Sequence, residues 1–160
     1  MEMSDLDDLL KIFGDAKVMA SFNAEPFTRE QMEHWVQRNL AHQDTYGYGL
    51  FSVILKPNQV LIGDCGFEVM EIEGETATEL GYDFRSDYWN QGFATEAALA
   101  VRDYAFQVLS LPSLISLIRV GNQASKRVSE KVGMRLIDEI VENGIRYWKY
   151  GIESKTRAAK

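Results

Sequence analysis

Tyr88-Trp89-Asn90-Gln91-Gly92-Phe93-Ala94-Thr95-Glu96-Ala97 joins a strand-patterned run, Thr76–Phe84, to a helix-patterned one, Phe93–Leu109. Gly92 lets backbone approach a ligand closely, and Ala94 keeps the helix entry small. The amides of Gln91–Thr95 are the donors that a helix N-terminus leaves without intrahelical partners. Oriented N–H groups and the helix dipole suit such a site to phosphate. Thr95 adds a hydroxyl donor. An ordinary strand–helix turn with a glycine carries the same pattern, because short glycine motifs are weak alone. The stretch is neither a Walker A loop nor a G-x-G-x-x-G fingerprint, which counts against an NTPase or a dinucleotide-binding domain.

Working outward, Ser4 and Asp7 have capping-box spacing, ahead of Leu6, Leu9, Leu10 and Phe13 at helical intervals. Thr28 and Gln31 form a second box, with Phe27 and Met32 as its staple. Met32, Trp35, Val36 and Leu40 then make one apolar stripe. Tyr48–Lys56, Gln59–Glu71 and Thr76–Phe84 read as strands, the second bulged near Gly63 and Gly66. The helix Phe93–Leu109 has its stripe at Ala97, Ala98, Val101, Ala105 and Val108. Leu114–Val120 is a buried strand, and Lys126–Val132 a short helix stopped at Gly133. Met134–Glu142 and Ile145–Ile152 are joined by Asn143-Gly144, the strongest short hairpin signal. The order ααβββαβαββ is a mixed α/β (α+β) fold.

The chain has 160 residues, 46% of them apolar and 26% charged, which suits one globular domain. That domain is expected over 1–152, with 153–160 a polar tail that frays. With 17 basic against 24 acidic residues the net charge is -7, so no basic face for nucleic acid is expected. No apolar run nears the roughly 20 residues of a spanning helix, so no membrane partner is expected. The acidic start, Glu2, Asp5, Asp7 and Asp8, is unlike a secretory or transit leader. Cys65 is the only cysteine, which excludes an intramolecular disulfide and suits the cytoplasm. It sits in an apolar strand as a packing thiol. His34 and His42 lack ligand spacing, and no metal is expected.

A second segment is Asn122-Gln123-Ala124-Ser125, followed by Lys131-Val132-Gly133-Met134. Together with Tyr88–Ala97, and Glu79-Leu80-Gly81-Tyr82 before it, this segment resembles the GNAT superfamily of N-acetyltransferases, specifically its RimJ/RimL-like branch. The resemblance spans nearly the whole chain. It implies a twisted, mostly antiparallel sheet that splays between its central parallel strands, flanked by four helices. Acetyl-CoA would be the co-substrate. Pantetheine would pair with the backbone of Tyr82, Asp83 and Phe84. The pyrophosphate would lie on the loop of Asn90, Gln91, Gly92, Phe93, Ala94 and Thr95. Asn122, Ser125 and Arg127 would contact the cofactor from the second segment. Where the general pattern has Arg or Gln three residues before the glycine, this chain has Trp89. Where many relatives place a tyrosine acid, it has Ser129. Family members open with a strand that is short or missing here. An isologous homodimer is one way to cover the edge this leaves.

The resemblance implies an amine acceptor: a protein N-terminus, a polyamine, an amino acid or an aminoglycoside-like molecule. Transfer needs a neutral amine, a polarised thioester carbonyl and a proton for the leaving thiolate. Glu79 is the candidate base and Ser125 the candidate acid. Against these stand an outward strand carboxylate at Glu79 and a helix N-cap at Ser125. Trp89, in the loop beside the expected cofactor, is the one tryptophan not read simply as a core anchor. The alternative function is a catalytically silent acyl-CoA-binding module that regulates or scaffolds.

Overall fold

The computed structural model describes residues 1–155, so the tail residues 156–160 lie outside it. A 3-10 turn, Met3–Asp5, leads into α1 (Leu6–Phe13), a short α2 (Ala16–Ala20) and α3 (Arg29–Tyr46). Three strands follow, β1 (Leu50–Ile54), β2 (Leu61–Ile72) and β3 (Glu75–Phe84). Then come α4 (Phe93–Gln107), β4 (Ser113–Arg119), α5 (Gln123–Val132), β5 (Arg135–Glu142) and β6 (Ile145–Glu153). The strands make one six-stranded sheet, ordered β1-β2-β3-β4-β6-β5. This is the mixed α/β sheet that the sequence predicts, with five α-helices among the described residues in place of four. The unforeseen α2 has five residues, too few to show a helical period. Among the described residues no strand precedes α1, and β1 is an edge strand.

By contact the residues group into two compact units, Met1–Phe67 with Tyr82–Ala94, and Glu68–Gly81 with Thr95 onward. In the first unit, Leu9, Ile12, Met32 and Val36 are fully buried in one cluster. Each such side chain contributes about 1.5–3 kcal/mol through burial. The Thr28 box is formed: Gln31 N donates to Thr28 Oγ1 at 3.2 Å, and Thr28 N to Gln31 Oε1 at 2.9 Å. The first cap differs from expectation. Glu2 N donates to Asp5 Oδ2 at 2.9 Å, while Asp7 pairs with Arg29. The 3-10 turn uses up Ser4 and moves the start of order two residues upstream.

The ladder between β1 and β2 runs from Leu50↔Gly66 to Val53↔Gly63 and then jumps to Ile54↔Leu61. Ile62 is the bulged residue, beside the expected Gly63. Both glycines serve close backbone approach. A Cβ on Gly66 would lie 2.3 Å from Gly49 O, and one on Gly63 would lie 2.5 Å from Asp83 O.

In the second unit, β3 and β4 pair in parallel at Glu79↔Ile115. β4 pairs antiparallel with β6 from Ser113↔Glu153 to Arg119↔Tyr147. Asn143 and Gly144 turn the β5–β6 hairpin with φ of 50° and 77°, the left-handed pair that a type I′ turn requires. Order extends past the expected boundary at 152. Glu153 is paired in β6, and Ser154 N donates to Pro112 O at 2.9 Å. A polar strand end has no apolar alternation, so sequence pattern stops short of it. Val108 lies beyond the end of α4 and is exposed, not part of a buried stripe.

Candidate active site

The loop with the glycine lies in the first unit. Arg85 N donates to Ile62 O at 2.8 Å, which keeps the chain on β2 for one residue past β3. Ser86–Tyr88 then form a 3-10 turn. The Arg85 guanidinium forks onto Asp87, at 3.1 Å from Nε and 2.8 Å from Nη2, and lies 5.2 Å from the Tyr88 ring centre. Trp89 Nε1 donates to Phe84 O at 2.9 Å, folding the loop back onto the strand it left. Gln91 Nε2 donates to Asp87 O at 3.2 Å. Asn90 and Gly92 adopt left-handed φ of 60° and 86°. A Cβ at Gly92 would meet nothing within 4 Å. Conformation therefore favours glycine there, and the space beside it suits a ligand. Glu96 is exposed in the first turn of α4, where an acidic side chain complements the helix dipole.

Asp15 is a member of this loop's surroundings that sequence pattern does not reveal. Its Oδ1 accepts from Lys17 N at 2.9 Å to cap α2, and its Oδ2 accepts the Ser86 hydroxyl. The Ser86 bond, then the Lys17 amide, holds its carboxyl below the ordinary value of 3.8. Cys65 is fully buried. Desolvation first, then the charges of Asp64 and Asp83, push its thiol well up. A thiol kept protonated is no nucleophile, and the packing role expected for Cys65 stands.

Two side chains support the meeting of β3 and β4 in the second unit. Ser116 Oγ donates to Leu80 O at 2.7 Å, and Leu117 N donates to Glu79 Oε1 at 3.0 Å. Glu79 is half-buried, its carboxylate held against β4 instead of standing out from the strand. Beyond β4, Asn122 Oδ1 accepts from Ser125 N at 3.2 Å. Asn122 is thus the N-cap of α5, and Ser125 lies half-buried in its first turn. The helix opens three residues before the pattern at Lys126, because no apolar stripe marks those residues. Arg127 is exposed on α5. The Tyr150 hydroxyl donates to Glu130 Oε1 at 3.2 Å. Burial first, then Glu130, raises the phenol above its ordinary range.

Residues 1–135 match the family description "Acetyltransferase (GNAT) domain". The chain is a GNAT acetyltransferase. It is similar to the uncharacterized N-acetyltransferase p20 of Bacillus licheniformis, 32% identical over 126 residues that cover 78% of this chain and 70% of that protein. Among solved structures it is similar to a GNAT-family acetyltransferase from Bacillus anthracis. That pair is 28% identical with a TM-score of 0.79, over 96% of this chain and 91% of the other. A Vibrio cholerae spermidine N-acetyltransferase, solved with CoA and spermine, shares the fold. It is 20% identical with a TM-score of 0.76, over 96% of this chain and 92% of the other. As a member of the family this acetyltransferase uses acetyl-CoA as co-substrate.

Within the acetyltransferase, the structure brings Tyr82, Asp83 and Phe84 together with Asn90, Gln91, Gly92, Phe93 and Ala94 in the first unit. It brings Glu79, Thr95, Asn122, Ser125 and Arg127 into the second. His34 is exposed on α3, and His42 Nδ1 lies 3.0 Å from Tyr48 O. Among the described residues no group of three or more His, Cys, Asp and Glu could hold a metal ion, and no helix is long and apolar enough to cross a membrane.

Proposed function

We propose that this acetyltransferase belongs to the RimJ/RimL-like branch and moves an acetyl group directly from acetyl-CoA to a primary amine. The observation that carries the mechanism is the Glu79 carboxylate, fixed by Leu117 N beside the Glu79↔Ile115 pair of β3 and β4. A base held there needs no reorganisation before it takes a proton. Glu79 removes a proton from the amine, directly or through water. The nitrogen attacks the thioester carbonyl carbon, a C–N bond forms, and the C–S bond breaks. A strand N–H steadies the developing oxyanion. Ser125 gives its proton to the thiolate and is reprotonated from solvent.

The groups assigned to acetyl-CoA have chemistry suited to it. The amides of Gln91–Thr95 suit the pyrophosphate, and the backbone of Tyr82, Asp83 and Phe84 suits pantetheine. Asn122 and Arg127 take the remaining contacts. For Asn122 this role coexists with capping α5, and the cap explains why that position carries Asn. The acceptor is a primary amine on a neutral or cationic molecule, in keeping with a net charge of -7. Polyamines head the series to test, because the Vibrio cholerae enzyme of the same fold is a spermidine N-acetyltransferase.

The test is acetyl-CoA binding by calorimetry, followed by thiol release against spermidine, an aminoglycoside, amino acids and peptides with free N-termini. Binding with turnover supports the proposal and begins to name the acceptor. Absence of binding overturns it. Tight binding with no turnover on any of these amines favours the silent acyl-CoA-binding module.

A further inference from the structure

We propose that Asp15 and Ser86 form a positioning pair that holds the phosphate-binding loop in register for acetyl-CoA; this rests on the cofactor placement above. Asn90 and Gly92 both take left-handed φ, and Gln91 Nε2 donates back to Asp87 O at 3.2 Å within the loop itself. Amides that grip a phosphate must be aimed to within about half an ångström, so their support has to come from neighbouring side chains.

Two anchors supply it within the first unit. Trp89 Nε1 closes the loop onto Phe84 O at 2.9 Å. The Ser86 hydroxyl ties the start of the 3-10 turn to Asp15, 71 residues away in sequence. Asp15 is itself immobilised, because its other oxygen caps α2 at Lys17 N. α2 in turn is seated by Val18 and Met19, 3% exposed each, in the same core cluster as Leu9 and Met32. The line of support therefore runs from the helical core through α2, Asp15 and Ser86 to the turn that launches the amides. Tyr88 N donating to Arg85 O at 3.0 Å and the Arg85 fork on Asp87 stiffen the turn between the anchors. Ser86 bonds to Asp15 and Asp15 to the Lys17 amide, so they act through the loop and their effect is expected in cofactor affinity.

Ser86→Ala removes the tie and leaves the α2 cap in place. The expected result is acetyl-CoA binding weakened about three- to tenfold by calorimetry. The KM for acetyl-CoA rises by the same factor, while kcat at saturating acetyl-CoA and the KM for the amine hold. Ser86→Thr, which keeps the hydroxyl, restores affinity. Asp15→Ala weakens binding at least as much, and Ser86→Ala added to it brings no further loss. A merely structural role would lower the melting temperature without separating KM from kcat. A Ser86→Ala protein that binds acetyl-CoA within about twofold of wild type overturns the inference. Failure of the wild-type protein to bind acetyl-CoA overturns the cofactor placement beneath it.

Discussion

Glu79 is the residue at which structure and chemistry separate most cleanly by substitution. Its Oε1 accepts from the part-buried Leu117 amide at 3.0 Å. Glu79→Ala removes that acceptor and strands a backbone donor, a loss of about 1–3 kcal/mol. For a chain of this size each kcal/mol moves the melting temperature by about 2–4 °C, so a fall of roughly 2–12 °C is expected. Glu79→Gln keeps a carbonyl oxygen in the same place, and its melting temperature stays within about 2 °C of wild type. Neither variant can act as a base, and loss of a general base costs about 10²–10⁴ in rate. The two variants should therefore differ in stability and agree in turnover. The assay is thermal denaturation beside thiol release at saturating acetyl-CoA, on any amine the wild type acetylates. A Glu79→Gln enzyme with wild-type kcat would refute the base. Equal melting temperatures for the two variants would refute the role given to the Leu117 bond.

Gly92→Glu should abolish acetyl-CoA binding, because it sets bulk and negative charge at the proposed phosphate amides. The fold should survive with a loss of about 1–2 kcal/mol for a left-handed φ, and unchanged affinity in calorimetry would move the phosphate elsewhere. Gly66→Ala places a Cβ 2.3 Å from Gly49 O and 2.7 Å from Leu50 Cα, both backbone atoms. A loss of about 1–3 kcal/mol or more is expected in urea unfolding, and wild-type stability would mean that β1 gives way freely. Asp15 has its folded pKa depressed below 3.8 by Ser86 and Lys17. Its contribution is present above that ordinary value and is lost as pH falls through the lowered one. The stability gap between wild type and Asp15→Asn should thus narrow as pH falls below the ordinary carboxyl value of 3.8 and through the lowered one, and a gap independent of pH would contradict the assignment.

What was legible in the sequence was what local chemistry decides. Thr28 and Gln31 cap α3 because a hydroxyl and an amide three residues apart satisfy each other's backbone. Asn143-Gly144 turns the last hairpin because both residues tolerate positive φ. What was not legible depends on partners far along the chain. Ser86 meets Asp15 across 71 positions and Leu117 meets Glu79 across 38. Neither leaves a periodic trace, so the bonding of the candidate base and of the turn after β3 emerges only from the fold. Asn122 falls between these cases. Its cap geometry is local, but the polar first turn of α5 hides where the helix begins.

The bond from the Leu117 amide to Glu79 also makes that amide an intrinsic probe. Its proton faces a side-chain carboxylate, not a backbone carbonyl. Its ¹⁵N and ¹H resonance frequencies therefore respond to the charge on Glu79. One cross-peak in a two-dimensional spectrum, followed across a pH series without substrate, would titrate the candidate base in place. Repeating the series with acetyl-CoA bound would reveal whether the cofactor alters the readiness of that base before any amine arrives.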